Sequence, residues 1–97
     1  MNISEVVNQN REQILHALAS YGLSDVRIFG SVSRGDFNDH SDIDLLVRAG
    51  KGFSLLDLVR LEADLSALLG HKVDIVTEGA LDRPRFRNRV LNDAKPL

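Results

Sequence analysis

Two aspartates in the middle of the chain, Asp42 and Asp44, are spaced so that negative charge is concentrated. Ile43, Leu45 and Val47 alternate with them, which predicts a strand with two distinct faces. Side chains two apart on a strand share a face, so the two carboxylates point the same way, about 6 to 7 Å apart. At an effective dielectric of about 20 they repel each other by roughly 2 to 3 kcal/mol. A strand whose only role is packing would seldom contain two carboxylates that repel each other in this way.

A third carboxylate, Asp74, has the same placement in a later segment, where Val73 and Ile75 face the opposite side. If the two strands are neighbours in the sheet, the three carboxylates converge. Hard oxygen donors with no His or Cys among them suit Mg²⁺ or Mn²⁺ rather than zinc. Cations of that kind between the oxygens would offset the repulsion. The competing interpretation is a solvated acidic face on an edge strand.

Gly30, Ser31 and Arg34 could supply the phosphate-binding half of such a site. Glycine lets the backbone approach a phosphate closely, and a helical turn after it aims free N–H groups at the anion. The Ser31 hydroxyl adds a donor, and Arg34 could contact a leaving pyrophosphate through two hydrogen bonds. The competing interpretations are an ordinary strand-to-helix turn and a surface cation. An ATPase P-loop is excluded because Asp36 stands where its lysine must be.

The pattern of apolar residues predicts an α/β fold in which a small mixed β-sheet is packed with helices, and we expect residues 1–97 to form one domain. Ser54 followed by Asp57 is a capping signal for the most regular helix. That helix has one predicted apolar face, formed by Leu55, Leu58, Val59, Leu65, Leu68 and Leu69. The predicted elements in chain order are a helix over 4–21, a strand over 26–29, a helical turn and loop over 31–41, a strand over 42–47, a helix from 54 to 70, a strand over 72–77 and a helix over 84–92.

Composition narrows the class of protein. The net charge of −2 argues against a general nucleic-acid coat protein, so no direct nucleic-acid binding is expected. The chain has no cysteine, which leaves neither a disulfide framework nor thiolate zinc ligands. No segment approaches the ~20 apolar residues of a membrane span, and residues 1–10 lack the pattern of a signal peptide. We therefore expect a cytoplasmic location.

The string from Phe29 to Gly35, followed by the string from Ser41 to Val47, resembles the signature of the polymerase-β-like nucleotidyltransferase superfamily. It resembles more closely the minimal nucleotidyltransferases that serve as antitoxins beside a HEPN-domain partner. The stretch from Leu69 to Val76 is similar to the family's third-carboxylate strand, so the resemblance covers nearly the whole chain. The motif positions show no departure from the family's pattern; Ser33 stands where many relatives carry alanine, a change that we expect to be tolerated.

This resemblance implies a nucleotidyltransferase fold and a metal-dependent reaction. It implies that Asp42 and Asp44 bind two Mg²⁺ ions, and that Asp74 binds one of them and helps to deprotonate the acceptor hydroxyl. Gly30 and Ser31 would hold the phosphates of ATP. Family members of this kind attach AMP to a tyrosine of the HEPN toxin, which silences its RNase activity. The alternatives are a catalytically inactive antitoxin that neutralises by binding alone, and nucleotidyl transfer to a small molecule.

Four arginines fall around the predicted last helix, where Phe86 and Val90 form an apolar stripe. A solvated helix, a docking surface for an acidic partner and a second contact to ATP phosphates are all compatible with this pattern. The chain has few other residues that could bind the nucleotide base or the acceptor, so we expect the partner protein to complete the site. The four residues are Arg83, Arg85, Arg87 and Arg89.

Overall fold

The fold is a four-stranded mixed sheet with the strand order β3-β2-β1-β4, seen in a computed structural model that describes residues 1–97. The central strand β2 runs antiparallel to β1 and parallel to β3, and β4 is antiparallel to β1. The predicted mixed sheet with helices is therefore confirmed. The strands are β1 (Leu23–Phe29), β2 (Ile43–Ala49), β3 (Val73–Thr77) and β4 (Lys95–Pro96); the helices are α1 (Ile3–Gln9), α2 (Arg11–Ser20), α3 (Gly30–Arg34), α4 (Leu55–Leu69) and α5 (Pro84–Asp93).

The N-terminal segment differs from its prediction, because the single helix expected over 4–21 is two helices joined at Asn10. The Asn10 side chain donates to the carbonyl of Val6 at 2.8 Å, and its backbone φ of −105° departs from helical values. The resulting bend lets both helices bury apolar residues in the same core, Val7 on α1 and Ile14 on α2. Apolar spacing alone does not reveal the bend, since both halves are helical.

Helix α4 has the predicted capping box: Ser54 Oγ accepts from the Asp57 N–H and the Asp57 carboxylate accepts from the Ser54 N–H, both at 3.1 Å. Its predicted apolar face is wrong in part. The buried residues are Leu61, Leu65 and Leu69, spaced four apart, whereas three of the predicted set face solvent. The helix contains more leucines than one buried face requires, so its sequence is compatible with more than one choice of the apolar face. The exposed members are Leu55 at 75%, Val59 at 54% and Leu68 at 47%.

The two faces of β2 are covered differently. Ile43, Leu45 and Val47 are fully buried in the main core, beneath α1, α2 and α4. On the opposite face Leu46 is also fully buried, in a smaller cluster to which α5 contributes Val90. Asp44 shares that second face. Helix α5 therefore covers part of the sheet face that carries Asp44. The end of this face at Asp42 and Asp74 stays exposed to solvent. No helix of the chain has the length and apolarity needed to cross a membrane.

Strand β3 lies at an edge of the sheet, where backbone N–H groups would otherwise be unpaired. Helix α4 supplies their acceptors: Ser66 Oγ accepts from the Val73 N–H at 2.9 Å, and a Glu62 carboxylate oxygen accepts from the Ile75 N–H at 2.8 Å. These two bonds flank Asp74 in the chain. They hold β3 in place beside α4 and so fix where the third carboxylate lies.

The other edge of the sheet holds an element that was not predicted. Strand β4 pairs with β1 at Ile28 and Arg27, and it is only two residues long. So short an element, containing Pro96, carries no strand periodicity and is detectable only through its partner. It returns the end of the chain to the sheet, directly after α5.

Candidate active site

Strand β1 ends at a corner where the backbone turns into α3 at Gly30. The φ of Gly30 is +74°, a conformation that L side chains rarely adopt. A Cβ placed on Gly30 would lie 2.2 Å from Asp44 Oδ2. The glycine therefore serves two purposes: it permits the turn, and it leaves the space that the Asp44 carboxylate occupies. Ser31 is half-buried on the first turn of α3, next to this corner.

Asp44 and Asp74 lie opposite each other in the parallel register of β2 and β3. Directly paired residues share a face of the sheet, so both carboxylates point to the α5 side. On the other side of β2, strand β1 places Phe29, the residue before Gly30, opposite Asp44. The two strands are neighbours, which is the condition on which the predicted convergence depended, and Asp44 lies beside the glycine corner.

Asp42 precedes β2 and is positioned by a turn at residues 38–41. Asn38 and Ser41 bond each other twice, through the Ser41 N–H to the Asn38 carbonyl at 3.1 Å and the Asn38 N–H to Ser41 Oγ at 2.9 Å. A single cation marks the proximity of Asp42 to Asp74: Lys72 Nζ lies 4.0 Å from Asp42 Oδ2 and 3.8 Å from Asp74 Oδ1. The three carboxylates thus line one rim of the sheet.

The pKa of Asp44 is raised to about 6 from 3.8. Burial of the carboxyl group is the largest cause, followed by repulsion from Asp74 and then from Asp42; the charges of Arg34 and Lys72 act in the opposite direction. A carboxyl pKa raised by burial and by neighbouring carboxylates means that the charged form is unfavourable in this position. The unfavourable charge density is a property of this rim, and a bound cation would relieve it.

The donor set fits a hard divalent cation. Three carboxylates with no sulfur or imidazole form an oxygen-only site of the type preferred by Mg²⁺ and Mn²⁺. The Lys72 ammonium already acts as a cation between two of them, although it is 68% exposed and so weakly held. As placed, no three side chains form a ready-made metal site. That spread is expected of carboxylates that repel one another.

Arg34 is paired with carboxylates on two sides. Its Nε donates to Asp36 Oδ2 at 3.0 Å and an Nη atom donates to Asp93 Oδ2 at 2.7 Å. The hydrogen bonds to Asp36 and Asp93 raise the pKa of the Arg34 guanidinium above its usual value. Arg34 stands close enough to the rim to act on the charge of Asp44, yet much of its hydrogen-bonding capacity is used within the chain.

Three residues for which the sequence predicted no role at the site join α3 to the C-terminal segment. The Ser33 hydroxyl donates to the Asp93 carbonyl, and Lys95 Nζ donates to the Ser33 carbonyl at 3.1 Å. Asp93 also accepts from Arg34. The serine predicted to be a tolerated change therefore makes a hydrogen bond that alanine cannot. Nothing local in the sequence reveals these contacts, because 60 residues separate Ser33 from Asp93.

Comparison with known proteins agrees with this geometry. A family model described as a nucleotidyltransferase domain matches residues 11–97. A Methanocaldococcus jannaschii protein, provisionally named a protein adenylyltransferase, is 42% identical over 94 residues, which are 97% of this chain and 96% of that protein.

Solved structures give the same result. One, provisionally described as a minimal nucleotidyltransferase, has a TM-score of 0.85 at 46% identity, covering 100% of this chain and 97% of its own. One chain of a toxin–antitoxin complex crystallised with AMP-PNP has a TM-score of 0.77 at 26% identity, covering 90% of this chain and 71% of its own. The chain therefore belongs to the nucleotidyltransferase domain family, and its fold is that of a minimal nucleotidyltransferase.

Proposed function

We propose that this chain is a Mg²⁺-dependent protein adenylyltransferase that moves AMP from ATP to a hydroxyl, a tyrosine in our proposal, of a HEPN-domain toxin and so acts as its antitoxin. The observation that carries the proposal is the Asp44 carboxylate held against Gly30 with Asp74 beside it in register. The adenylyltransferase name of the M. jannaschii relative and the toxin–antitoxin complex with an ATP analogue support the substrate and the partner.

In this proposal Asp42 and Asp44 hold two Mg²⁺ ions, and Asp74 holds one of them. Mn²⁺ shares the preference for oxygen ligands and would replace Mg²⁺. When bound, the ions stabilise charge on the α-phosphate and the leaving pyrophosphate and lower the pKa of the acceptor hydroxyl. Gly30 and Ser31 take the phosphates of ATP through backbone and hydroxyl donors.

The transfer is an in-line displacement at phosphorus. The acceptor oxygen forms a bond to the α-phosphorus, the bond from that phosphorus to the bridging oxygen of the β-phosphate breaks, and pyrophosphate leaves. The proton of the hydroxyl passes to the Asp74 carboxylate. Asp74 suits this role because its side chain is 38% exposed at the rim and so reachable by an acceptor from outside the chain.

The partner protein completes the site in this proposal. The rim opens to solvent at Asp42, whose side chain is 42% exposed. Residues 1–97 act as one domain, in the cytoplasm, and neither membrane nor nucleic acid is a partner. A macromolecular acceptor brings its own hydroxyl into the open rim, whereas a small acceptor would need walls that the rim lacks.

The test is transfer to the product of the adjacent gene. The purified chain is incubated with that protein, labelled ATP and Mg²⁺, and the intact masses of both proteins are measured. We expect a nucleotide-sized mass gain on the neighbour that is lost when EDTA replaces Mg²⁺. No mass gain, with both proteins folded and in complex, would contradict the proposal.

A further inference from the structure

A triphosphate held at the Gly30 corner would be stabilised by positive side chains. Arg34 lines the cavity beside this corner, and its guanidinium already donates to Asp36 and to Asp93, which also lines the cavity. Two of its five N–H donors are therefore used, and the two carboxylates offset its charge. An unpaired cation at the same corner would bind the anion more strongly.

Such a cation lies across from the corner on α5. A cavity of about 130 Å³ opens beside Gly30, and its lining includes Arg89 and Phe86. A larger cleft of about 570 Å³ adjoins it along α5 and is lined by the same two side chains. Phe86 and Arg89 therefore line both the cavity at the glycine corner and the cleft along α5.

Helix α5 is unusual in how little of it packs against the fold. Val90 is its only buried residue, and Phe86 is 40% exposed. The ion pairs of the chain engage Arg27, Arg34, Arg48 and Lys72 but none of the four arginines at 83–89. Packing of Val90 explains one position of this helix, but it does not account for four cations without a carboxylate partner or for a partly exposed aromatic ring. Charge and ring together match a nucleotide, which offers phosphates and a flat base.

We propose, on the basis of the proposed function, that two side chains of α5 bind ATP: Arg89 binds the β- and γ-phosphates, and Phe86 stacks against the base. A guanidinium fits phosphate with two parallel hydrogen bonds, and an exposed aromatic ring stacks on any base. Arg34 is then a positioning residue. Its bond to Asp93, with the Ser33 hydroxyl on the Asp93 carbonyl, fixes α5 over the corner.

The assignment predicts a separable loss of binding, measured by calorimetry with Mg²⁺ and two probes, AMP-PNP and inorganic triphosphate. Arg89→Ala removes charge-assisted bonds and should weaken the binding of both probes by about 10- to 100-fold. Phe86→Ala should weaken AMP-PNP by about 5- to 100-fold and leave inorganic triphosphate unchanged, because only the base is stacked. Arg87→Ala is the matched control, since Arg87 is exposed on the same helix and lines neither space.

Equal binding by Arg89→Ala and the wild-type protein would overturn the assignment and leave the proposed function standing. A loss with Arg87→Ala as large as with Arg89→Ala would also overturn it, because it would reflect general positive charge. If the wild-type protein bound neither probe, the nucleotide substrate itself would be wrong, and the α5 assignment would fall with it.

Discussion

Replacing Asp44 with asparagine is expected to reduce nucleotidyl transfer by about 1,000-fold or more, because it removes the carboxylate that we propose holds metal at the reacting phosphate. The amide keeps the shape and one oxygen but not the charge. Asp64→Asn is the matched control, since Asp64 lies exposed on α4 away from the rim. The measurement is the rate of AMP incorporation into the partner at saturating Mg²⁺. A loss of less than tenfold would contradict the proposed role of Asp44.

The same substitution is expected to stabilise the metal-free protein. The folded-state pKa of Asp44 is raised to about 6 from 3.8, so the native state holds a proton that the unfolded state releases first. The contribution of this group to stability is therefore greatest below pH 4 and falls as the pH rises through about 6. Asparagine cannot ionise, so the variant avoids this loss of stability. At pH 7 we expect its free energy of unfolding to be higher by about 1 to 2 kcal/mol, after a discount for partial exposure, and its Tm to be higher by roughly 5 °C.

Thermal unfolding in EDTA at pH 4 and pH 7 checks this expectation. The two proteins should be alike at the lower pH and should differ at the higher one, with the variant more stable. Adding Mg²⁺ should stabilise only the wild-type protein. The variant also separates two modes of neutralisation: an enzyme loses its antitoxin effect in cells with this change, whereas an antitoxin that acts by binding alone keeps it.

Gly30→Ala is expected to have the second large effect, on both stability and transfer. The new Cβ would lie 2.2 Å from Asp44 Oδ2, and the φ of +74° adds a backbone cost of about 1 to 2 kcal/mol. Relief of the clash requires Asp44 to move away from the corner, where its carboxylate lies beside the Gly30 backbone that we propose binds phosphate. We expect transfer to fall by about 100-fold or more.

Gly22→Ala is the control that isolates the clash. Gly22 has nearly the same φ, +76°, and a Cβ placed there would meet no atom within 4 Å. Both variants should lose similar stability from the left-handed backbone, and only Gly30→Ala should lose transfer. Circular dichroism and the transfer assay on both proteins decide the matter; an equal loss of activity would mean that backbone strain, and not Asp44, is responsible.

The sequence predicted those features that depend on local spacing. Alternation placed Asp44 and Asp74 on the opposite side of their strands from Ile43 and Ile75, and burial follows that pattern. The capping box of α4 was also predictable, because it joins Ser54 to Asp57, only three residues later. These features were predictable because strand geometry and cap chemistry extend over only a few residues.

Features that depend on contacts distant in sequence were not predictable. The bend at Asn10 and the exposure of Leu55 follow from which faces the core accepts, and β4 exists only through its pairing with β1. The pairing of Arg34 with Asp93 could not be read from a loop motif, because its partner is 59 residues away. Sequence reasoning therefore found the acidic half of the site and missed the way α5 is joined to it.

The central claim is that the rim formed by Asp42, Asp44 and Asp74 binds divalent metal in front of the Gly30 corner. A crystal of the chain grown with Mn²⁺ and AMP-PNP, measured for anomalous scattering, tests it most directly. We expect two manganese peaks about 3.5 to 4 Å apart at these three carboxylates, next to the triphosphate. Manganese elsewhere, or a bound triphosphate with no metal at the three aspartates, would contradict it.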